Sequence, residues 1–91
     1  MLNTKRYENL KNSLVEEGFV VTELIDGNKN PYFVLNSEDG NLYFTVTQEI
    51  DYLELYVEAY DEERDVYYPI DEKKYTQPKA AFNFLYEMLT Y

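Results

Sequence analysis

The sequence contains no cysteine, no histidine and no tryptophan, and only three glycines and three prolines among its 91 residues. Without cysteine the chain can form neither a disulfide nor a thiolate nucleophile, and without histidine it lacks the usual general base and the commonest transition-metal ligand. Three glycines are too few for a phosphate-binding glycine loop. We therefore expect that the protein is not an enzyme, and that it has no cofactor and neither a catalytic nor a metal site.

The residues that are present favour a single folded domain over positions 1–91. Hydrophobic residues make up 45% of the chain and aromatic residues 18%, including 11 tyrosines. This content allows the chain to bury enough surface to offset the entropy lost on folding. A chain of this length has room for one core only.

The charge balance is strongly acidic, with 18 Asp and Glu against 8 Lys and Arg and a formal net charge of −10. Because nucleic acids and anionic membranes are also negative, we expect no direct binding to either and a basic protein as the partner. No apolar run approaches the length of a signal peptide or the roughly 18 residues of a membrane span, which predicts a cytoplasmic location.

Both ends of the chain have the periodicity of amphipathic helices. The first predicted helix follows Asn3 or Thr4 as its capping residue and ends at Gly18, and the second begins near Pro78. Spacings of three and four residues place the apolar positions of each helix on one face. These positions are Tyr7, Leu10 and Leu14 in the first helix and Ala81, Phe84, Leu85, Met88 and Leu89 in the second.

Four segments between the helices are rich in β-branched and aromatic residues and are predicted strands: residues 19–25, 32–36, 42–47 and 52–60. After the last of them, a brief pairing of residues 66–68 would end at Pro69, which has no N–H to donate to a ladder. Short connections favour antiparallel neighbours. The predicted fold is of the α+β class: an antiparallel sheet of three to four strands, a β-meander, flanked by an N-terminal and a C-terminal helix.

The fourth predicted strand alternates regularly between two kinds of side chain, which places them on opposite faces. The face expected in the core carries Leu53, Leu55, Val57 and Ala59, and the core should also contain Phe33, Phe44, Phe82 and Phe84. The other face carries Tyr52, Glu54, Tyr56, Glu58 and Tyr60.

Most of the negative charge lies on and around this strand. Residues 49–72 contain ten acidic residues against Arg64 alone, a net charge of −9, whereas residues 1–48 sum to −3 and residues 73–91 to +2. Such a concentration destabilises a fold by repulsion, which favours a functional role, and a partner's guanidinium can both stack on tyrosine and pair with a carboxylate. We predict a partner-binding surface made of Asp51, Glu54, Tyr56, Glu58, Tyr60, Asp61, Glu62, Glu63 and Asp65.

Plainer interpretations apply to the same residues. An acidic strand face can simply be solvated, and turns between strands favour aspartate. Residues 36–40 have some features of a calcium loop but lack the regular oxygen ligands of an EF-hand, so a hairpin turn explains them better. The acids of residues 61–65 would hold a cation only loosely without a shaped cage.

The tyrosine and glutamate face of residues 52–60, the acidic turn of residues 61–65 and the order of helix, antiparallel strands and helix together resemble the small acidic inhibitors of phages and mobile elements. These include anti-CRISPR and anti-restriction proteins that imitate DNA. The resemblance implies a stoichiometric, phage-borne inhibitor that acts in the host cell cytoplasm and blocks the nucleic-acid-binding groove of a nuclease. Two alternatives stay open: an immunity-type inhibitor of a cognate toxin nuclease, and a small adaptor domain that binds through an exposed strand edge.

Overall fold

The computed structural model describes residues 2–90, which form two helices and one five-stranded sheet. In chain order the elements are α1 (Lys5–Glu16), β1 (Thr22–Ile25), β2 (Pro31–Asn36), β3 (Leu42–Gln48), β4 (Leu53–Asp61), β5 (Val66–Tyr75) and α2 (Pro78–Thr90). Each strand pairs antiparallel with the next one along the chain. The expected α+β meander between two helices is confirmed.

The sheet has five strands rather than the expected three to four, because the chain continues as a strand through Pro69. The register between β4 and β5 shifts between Val57 and Glu58, so that Asp71 pairs with Val57 and Pro69 pairs with Glu58. Ile70 is the additional residue between these pairs. A proline is tolerated here since β5 is an edge strand and the bulge interrupts the ladder at this point.

The first helix ends at Gly18, as the sequence predicts. The N–H of Gly18 donates to the carbonyl of Val15 at 3.0 Å, and the N–H of Phe19 donates to the carbonyl of Leu14 at 3.1 Å. This pair of bonds is the Schellman arrangement, which satisfies carbonyls left without a partner at a helix end. It requires a left-handed backbone at Gly18, where φ is +96°, and glycine adopts that conformation without strain.

Both helices cover the same face of the sheet and form the core with it. The fully buried helix residues are Tyr7, Leu10 and Leu14 of α1 and Ala81 and Leu85 of α2. The strands contribute Phe33, Leu35, Phe44, Val46, Leu53, Leu55 and Val57. The predicted inward face of β4 is thereby confirmed for its first three apolar residues.

Two of the four phenylalanines expected in the core lie at its margin. Phe33 and Phe44 are fully buried, whereas Phe82 and Phe84 are only partly buried and pack against the core from α2. The first predicted strand is also shorter than residues 19–25, since β1 begins at Thr22. Phe82 and Phe84 are only partly buried because α2 lies at the outside of the fold, where its apolar side chains have core neighbours on one side only. β1 begins at Thr22 because this residue, opposite Val34, is the first that pairs with β2.

A polar network connects α1 to the edge strand β1. The Tyr7 hydroxyl donates to Glu23 Oε2 at 2.7 Å, and the Lys11 ammonium donates to the same oxygen at 3.0 Å. The bond from Tyr7 and then the bond from Lys11 hold the pKa of the Glu23 carboxyl below its ordinary value. Burial and the neighbouring Glu23 carboxylate in turn raise the pKa of Tyr7, so that this phenol stays a donor.

We expect Tyr7→Phe to destabilise the protein by roughly 1 kcal/mol at neutral pH, because it keeps the buried ring and removes one hydrogen bond to a carboxylate. A carboxyl group whose pKa is lowered by folding stabilises the fold above its unfolded pKa, and this contribution is lost as the pH falls through the folded pKa. The cost of the substitution should therefore shrink as the pH falls below about 4.

Urea unfolding of wild type and Tyr7→Phe, at neutral pH and again at a pH where the Glu23 carboxyl group is protonated, measures the cost of the substitution in each state. Tyr86→Phe is the matched control, since Tyr86 is exposed and contributes only its carbonyl oxygen to side-chain hydrogen bonds within residues 2–90. A cost of Tyr7→Phe that stayed equal at both pH values would contradict the coupling to Glu23.

Candidate functional site

The two helices leave the other face of the sheet uncovered, and we call it the open face. Strand pairing places Tyr43 of β3 opposite Glu58 of β4, and it places Thr45 of β3 and Glu72 of β5 on either side of Tyr56. Tyrosines and carboxylates dominate the part of the open face formed by β3, β4 and β5. They are Tyr43, Glu54, Tyr56, Glu58, Tyr60, Tyr67 and Glu72.

The predicted binding residues follow the whole length of β4 and do not form one compact patch. Four of them, Glu54, Tyr56, Glu58 and Tyr60, alternate along the strand on the open face. Asp51 lies in the turn before β4, whereas Asp61, Glu62, Glu63 and Asp65 lie at or just beyond its other end. A nine-residue strand at about 3.3 Å per residue separates the two turns by about 30 Å. The structure therefore brings the strand residues together and holds Asp51 apart from the acidic turn.

Glu54 is buried, although its position in the alternating pattern suggests exposure. Only 7% of its surface is accessible, because it lies between Thr47 of β3 and Lys74 of β5 in the middle of the sheet. Tyr56 is 38% exposed and Glu58 is half-buried. A large partner could therefore touch Tyr56 and Glu58 directly, whereas Glu54 is almost inaccessible to it.

Glu54 and Glu72 are diagonal neighbours on β4 and β5, which places their carboxyl groups where one, when protonated, can donate a hydrogen bond to the other. This bond lowers the pKa of Glu54 and raises the pKa of Glu72, because two adjacent carboxylates cannot both ionise without repulsion. Hydrogen bonding to Glu54, and then burial, raises the pKa of Tyr56 to about 12. At neutral pH the Tyr56 phenol is therefore protonated and able to donate a hydrogen bond.

The acidic turn at the far end of β4 uses two of its carboxylates to hold its own shape. Asp61 Oδ1 accepts hydrogen bonds from the N–H groups of Glu63 at 3.0 Å and Arg64 at 3.4 Å, and the Tyr60 hydroxyl donates to Asp65. Asp65 has a φ of +55°, a conformation that aspartate tolerates better than most residues. Glu62 and Glu63, whose side chains are exposed, are the turn residues available to a partner.

Three residues of the open face are absent from the surface predicted from the sequence. Tyr67 lies with its ring centroid 5.3 Å from that of Tyr60 and 5.6 Å from that of Tyr43, and its hydroxyl donates to the carbonyl of Gly40 at 3.0 Å. Tyr43 could have been found from the alternation of the third predicted strand. Tyr67 lies in the brief pairing predicted for residues 66–68 but was not included in the surface. Glu72 could not have been found, because Pro69 argues locally for an end of the strand before it.

The bulge in β5 leaves an open depression of about 650 Å³ on this face. Its lining includes the ring of Tyr56, the apolar residues Pro69 and Ile70, and the carboxylates of Glu58 and Glu72. Ile70 is 48% exposed, although its side chain is apolar. The depression therefore combines an aromatic ring, an aliphatic surface and negative charge at one place.

Comparison of the chain with protein-family models, with curated proteins and with solved structures finds no match. In residues 2–90 no helix is sufficiently long and apolar to cross a bilayer, and no three acidic side chains are grouped so that they could hold a metal ion. The fold and the open face define a small acidic α+β domain that presents tyrosines and carboxylates on an uncovered sheet.

Proposed function

We propose that this protein is a stoichiometric inhibitor that binds a basic nucleic-acid-binding protein, specifically a nuclease, and blocks its nucleic-acid groove. We propose further that it is a phage-borne anti-defence protein of the anti-CRISPR type, acting in the host cell cytoplasm. One observation carries the proposal: the segment of residues 49–72, with its net charge of −9, forms β4, most of β5 and the turns beside β4. Three of its ten acidic residues, Glu54, Glu58 and Glu72, lie on the sheet face that neither helix covers, and most of the others lie in the turns at the two ends of β4.

The proposed mode of binding follows from the spacing of charge on the open face. Alternate residues of one strand face lie about 6.5–7 Å apart, so Glu58 and the carboxyl pair of Glu54 and Glu72 form a row of negative groups along the sheet. A groove lined with Arg and Lys to bind phosphates would attract such a row by the same electrostatic steering that it uses for nucleic acid. Tyr56 and Tyr60 add rigid contact area between the charges.

Adjacent carboxylates lower the stability of the folded state, and this loss of stability supports a functional role for them. Glu54 is almost fully buried next to the carboxyl group of Glu72, and adjacent carboxylates destabilise a folded state. A solvated surface with no partner would tolerate neutral or mixed side chains at both positions. We infer that the carboxylates are retained because a cationic partner neutralises them.

Two other functions remain candidates. An immunity-type inhibitor of a cognate toxin nuclease would use the same acidic face, and the genes next to this one would distinguish it. An adaptor domain is favoured by a different observation, namely the ten-residue edge strand β5 with its exposed apolar residues Val66, Tyr68 and Ile70. Such an edge can pair with a strand of another protein, and this binding would depend little on salt.

The experiment that tests the proposal is competition with DNA. A nuclease captured at low salt from a plausible host should bind the labelled protein, and the apparent affinity should fall as its DNA target is added, because two ligands of one groove exclude each other. Fluorescence anisotropy measures this competition, and a basic protein without a nucleic-acid groove serves as the control. A stable ternary complex with the DNA still in place would contradict groove occupancy and favour the adaptor.

A further inference from the structure

We propose that the depression beside Tyr56 is a binding site for an arginine side chain of the partner. This inference rests on the proposed function for the kind of partner that binds. The chemistry of the site does not depend on that function. The site is lined by one residue of β3, two of β4 and four of β5: Thr45, Tyr56, Glu58, Pro69, Ile70, Asp71 and Glu72.

The shape of the site matches the two parts of an arginine side chain. Pro69 and Ile70 provide an aliphatic surface for its hydrocarbon stem, since Ile70 is apolar and yet 48% exposed. The ring of Tyr56 lies between the carboxylates of Glu58 and Glu72, so a planar guanidinium over the ring can donate to either of them. An apolar ligand would leave these carboxylates without a partner, and an anion would be repelled by them.

A second observation points to a missing cation. Glu54 exposes only 7% of its surface, yet within residues 2–90 no Lys or Arg nitrogen lies within 4.0 Å of a carboxylate oxygen of either Glu54 or Glu72. Lys74, directly opposite Glu54, instead has its Nζ 5.4 Å from the centroid of the Tyr52 ring. Buried carboxylates ordinarily have an opposite charge or several donors as partners. Glu72 lines the depression and is the diagonal neighbour of Glu54, so a guanidinium there would supply that charge to the carboxyl pair.

The surroundings determine how binding should depend on pH. The charged and titratable groups around the depression are Glu49, Glu54, Tyr56 and Glu58 from β4 and the turn before it, and Asp71, Glu72 and Lys74 from β5. Across the sheet, β3 contributes the phenol of Tyr43, opposite Glu58, and the neutral side chains of Thr45 and Thr47. Because the carboxyl pair keeps a proton to a higher pH than an isolated glutamate, a bound cation must displace that proton. Affinity for a guanidinium should therefore rise as the pH rises through the titration of Glu72.

Arginine is preferred to lysine for geometric reasons. A guanidinium is planar, presents donors in a fork that fits carboxylates, and is weakly enough hydrated to stack on a tyrosine ring. An ammonium is a compact, strongly hydrated point charge and makes one such contact at a time. A site built only from negative charge would bind the two side chains equally well.

The test is a titration of the full-length, ¹⁵N-labelled protein with N-acetyl-arginine amide and with N-acetyl-lysine amide, followed by NMR. We expect saturable shift changes centred on Tyr56, Ile70 and Glu72 for the arginine amide, and about tenfold weaker binding of the lysine amide, which corresponds to the loss of one charge-assisted contact. Glu72→Gln should weaken arginine binding by at least about tenfold and remove most of its pH dependence. Glu62→Gln, an exposed acid of the turn, is the matched control and should leave it unchanged.

Three outcomes would overturn the site: equal affinity for the two amides, shifts distributed over all acidic segments, or full binding to Glu72→Gln. Ile70→Ser provides a second variant that changes the aliphatic surface without changing charge, and the dispersion of the NMR spectrum reports whether each variant is folded. Because no nuclease is present, failure of this test leaves the competition with DNA to be decided separately. If the arginine amide binds as expected but the protein inhibits no nuclease, the proposed function is overturned and the arginine site stands.

Discussion

Changing Glu58 and Glu72 together to lysine should weaken binding to a basic nuclease by at least about 100-fold, the effect expected when charges at the centre of an interface are reversed. Both side chains line the depression on the open face. Reversal would place positive groups against the Arg and Lys residues of the groove and add repulsion to the loss of attraction. Isothermal titration calorimetry at several salt concentrations measures the effect, and wild-type affinity should fall steeply with salt.

The matched control for this prediction is Glu16→Lys with Glu17→Lys, at the end of α1. Both pairs change the net charge by the same amount, and all four residues are accessible to solvent. Charges outside the contact surface affect mainly the association rate, so we expect the control to lose less than about tenfold in affinity. Equal losses from the two pairs would show that total charge, and not the open face, determines binding.

Replacing Leu55 with alanine should lower the free energy of unfolding by about 2–5 kcal/mol, the usual cost of a cavity in a packed core. Leu55 is fully buried under the helices, between Val46 of β3 and Lys73 of β5 in the register of the sheet. Urea denaturation at neutral pH, followed by circular dichroism, measures the change.

The adjacent residue provides the control for the register. Tyr56 lies on the open face with 38% of its surface exposed, and its truncation leaves a surface that solvent can reach and no enclosed cavity, so Tyr56→Ala should cost less than Leu55→Ala. A shift of the strand by one residue would exchange the two faces of β4. A larger loss at Tyr56 than at Leu55 would therefore contradict both the register and the open face.

The parts of the fold that could be predicted are those governed by local pattern. The periodicity of Tyr7, Leu10 and Leu14 predicts α1 and its buried face, and Gly18 predicts its end. The alternation of residues 52–60 predicts which side of β4 faces the helices. Each of these signals depends on residues close together in the chain, so a single sequence is sufficient to interpret it.

The parts that could not be predicted depend on neighbours distant in sequence. Pro69 argues locally against a strand, yet the edge position and the bulge of β5 accommodate it, so the brief pairing predicted for residues 66–68 continues to Tyr75 and includes Glu72. Alternation along β4 places Glu54 on the polar face of the strand, where exposure is expected. Glu54 is buried because β3 and β5 lie on either side of it. Alternation assigns a side chain to a face of the sheet, but the strands on both sides determine whether solvent reaches it.

The sequence by itself therefore determined the α+β class, the two helices, the inward face of β4 and the concentration of acidic residues in positions 49–72. Local periodicity and charge are properties of the chain whether or not it is folded. Only the tertiary structure decided that Glu54, Glu58 and Glu72 lie on an uncovered sheet face, that Glu54 and Glu72 are diagonal neighbours there, and that a depression opens beside Tyr56. These three features arise from the pairing of β4 with β5 through a register shift, and a register is a relation between two strands that neither strand specifies alone.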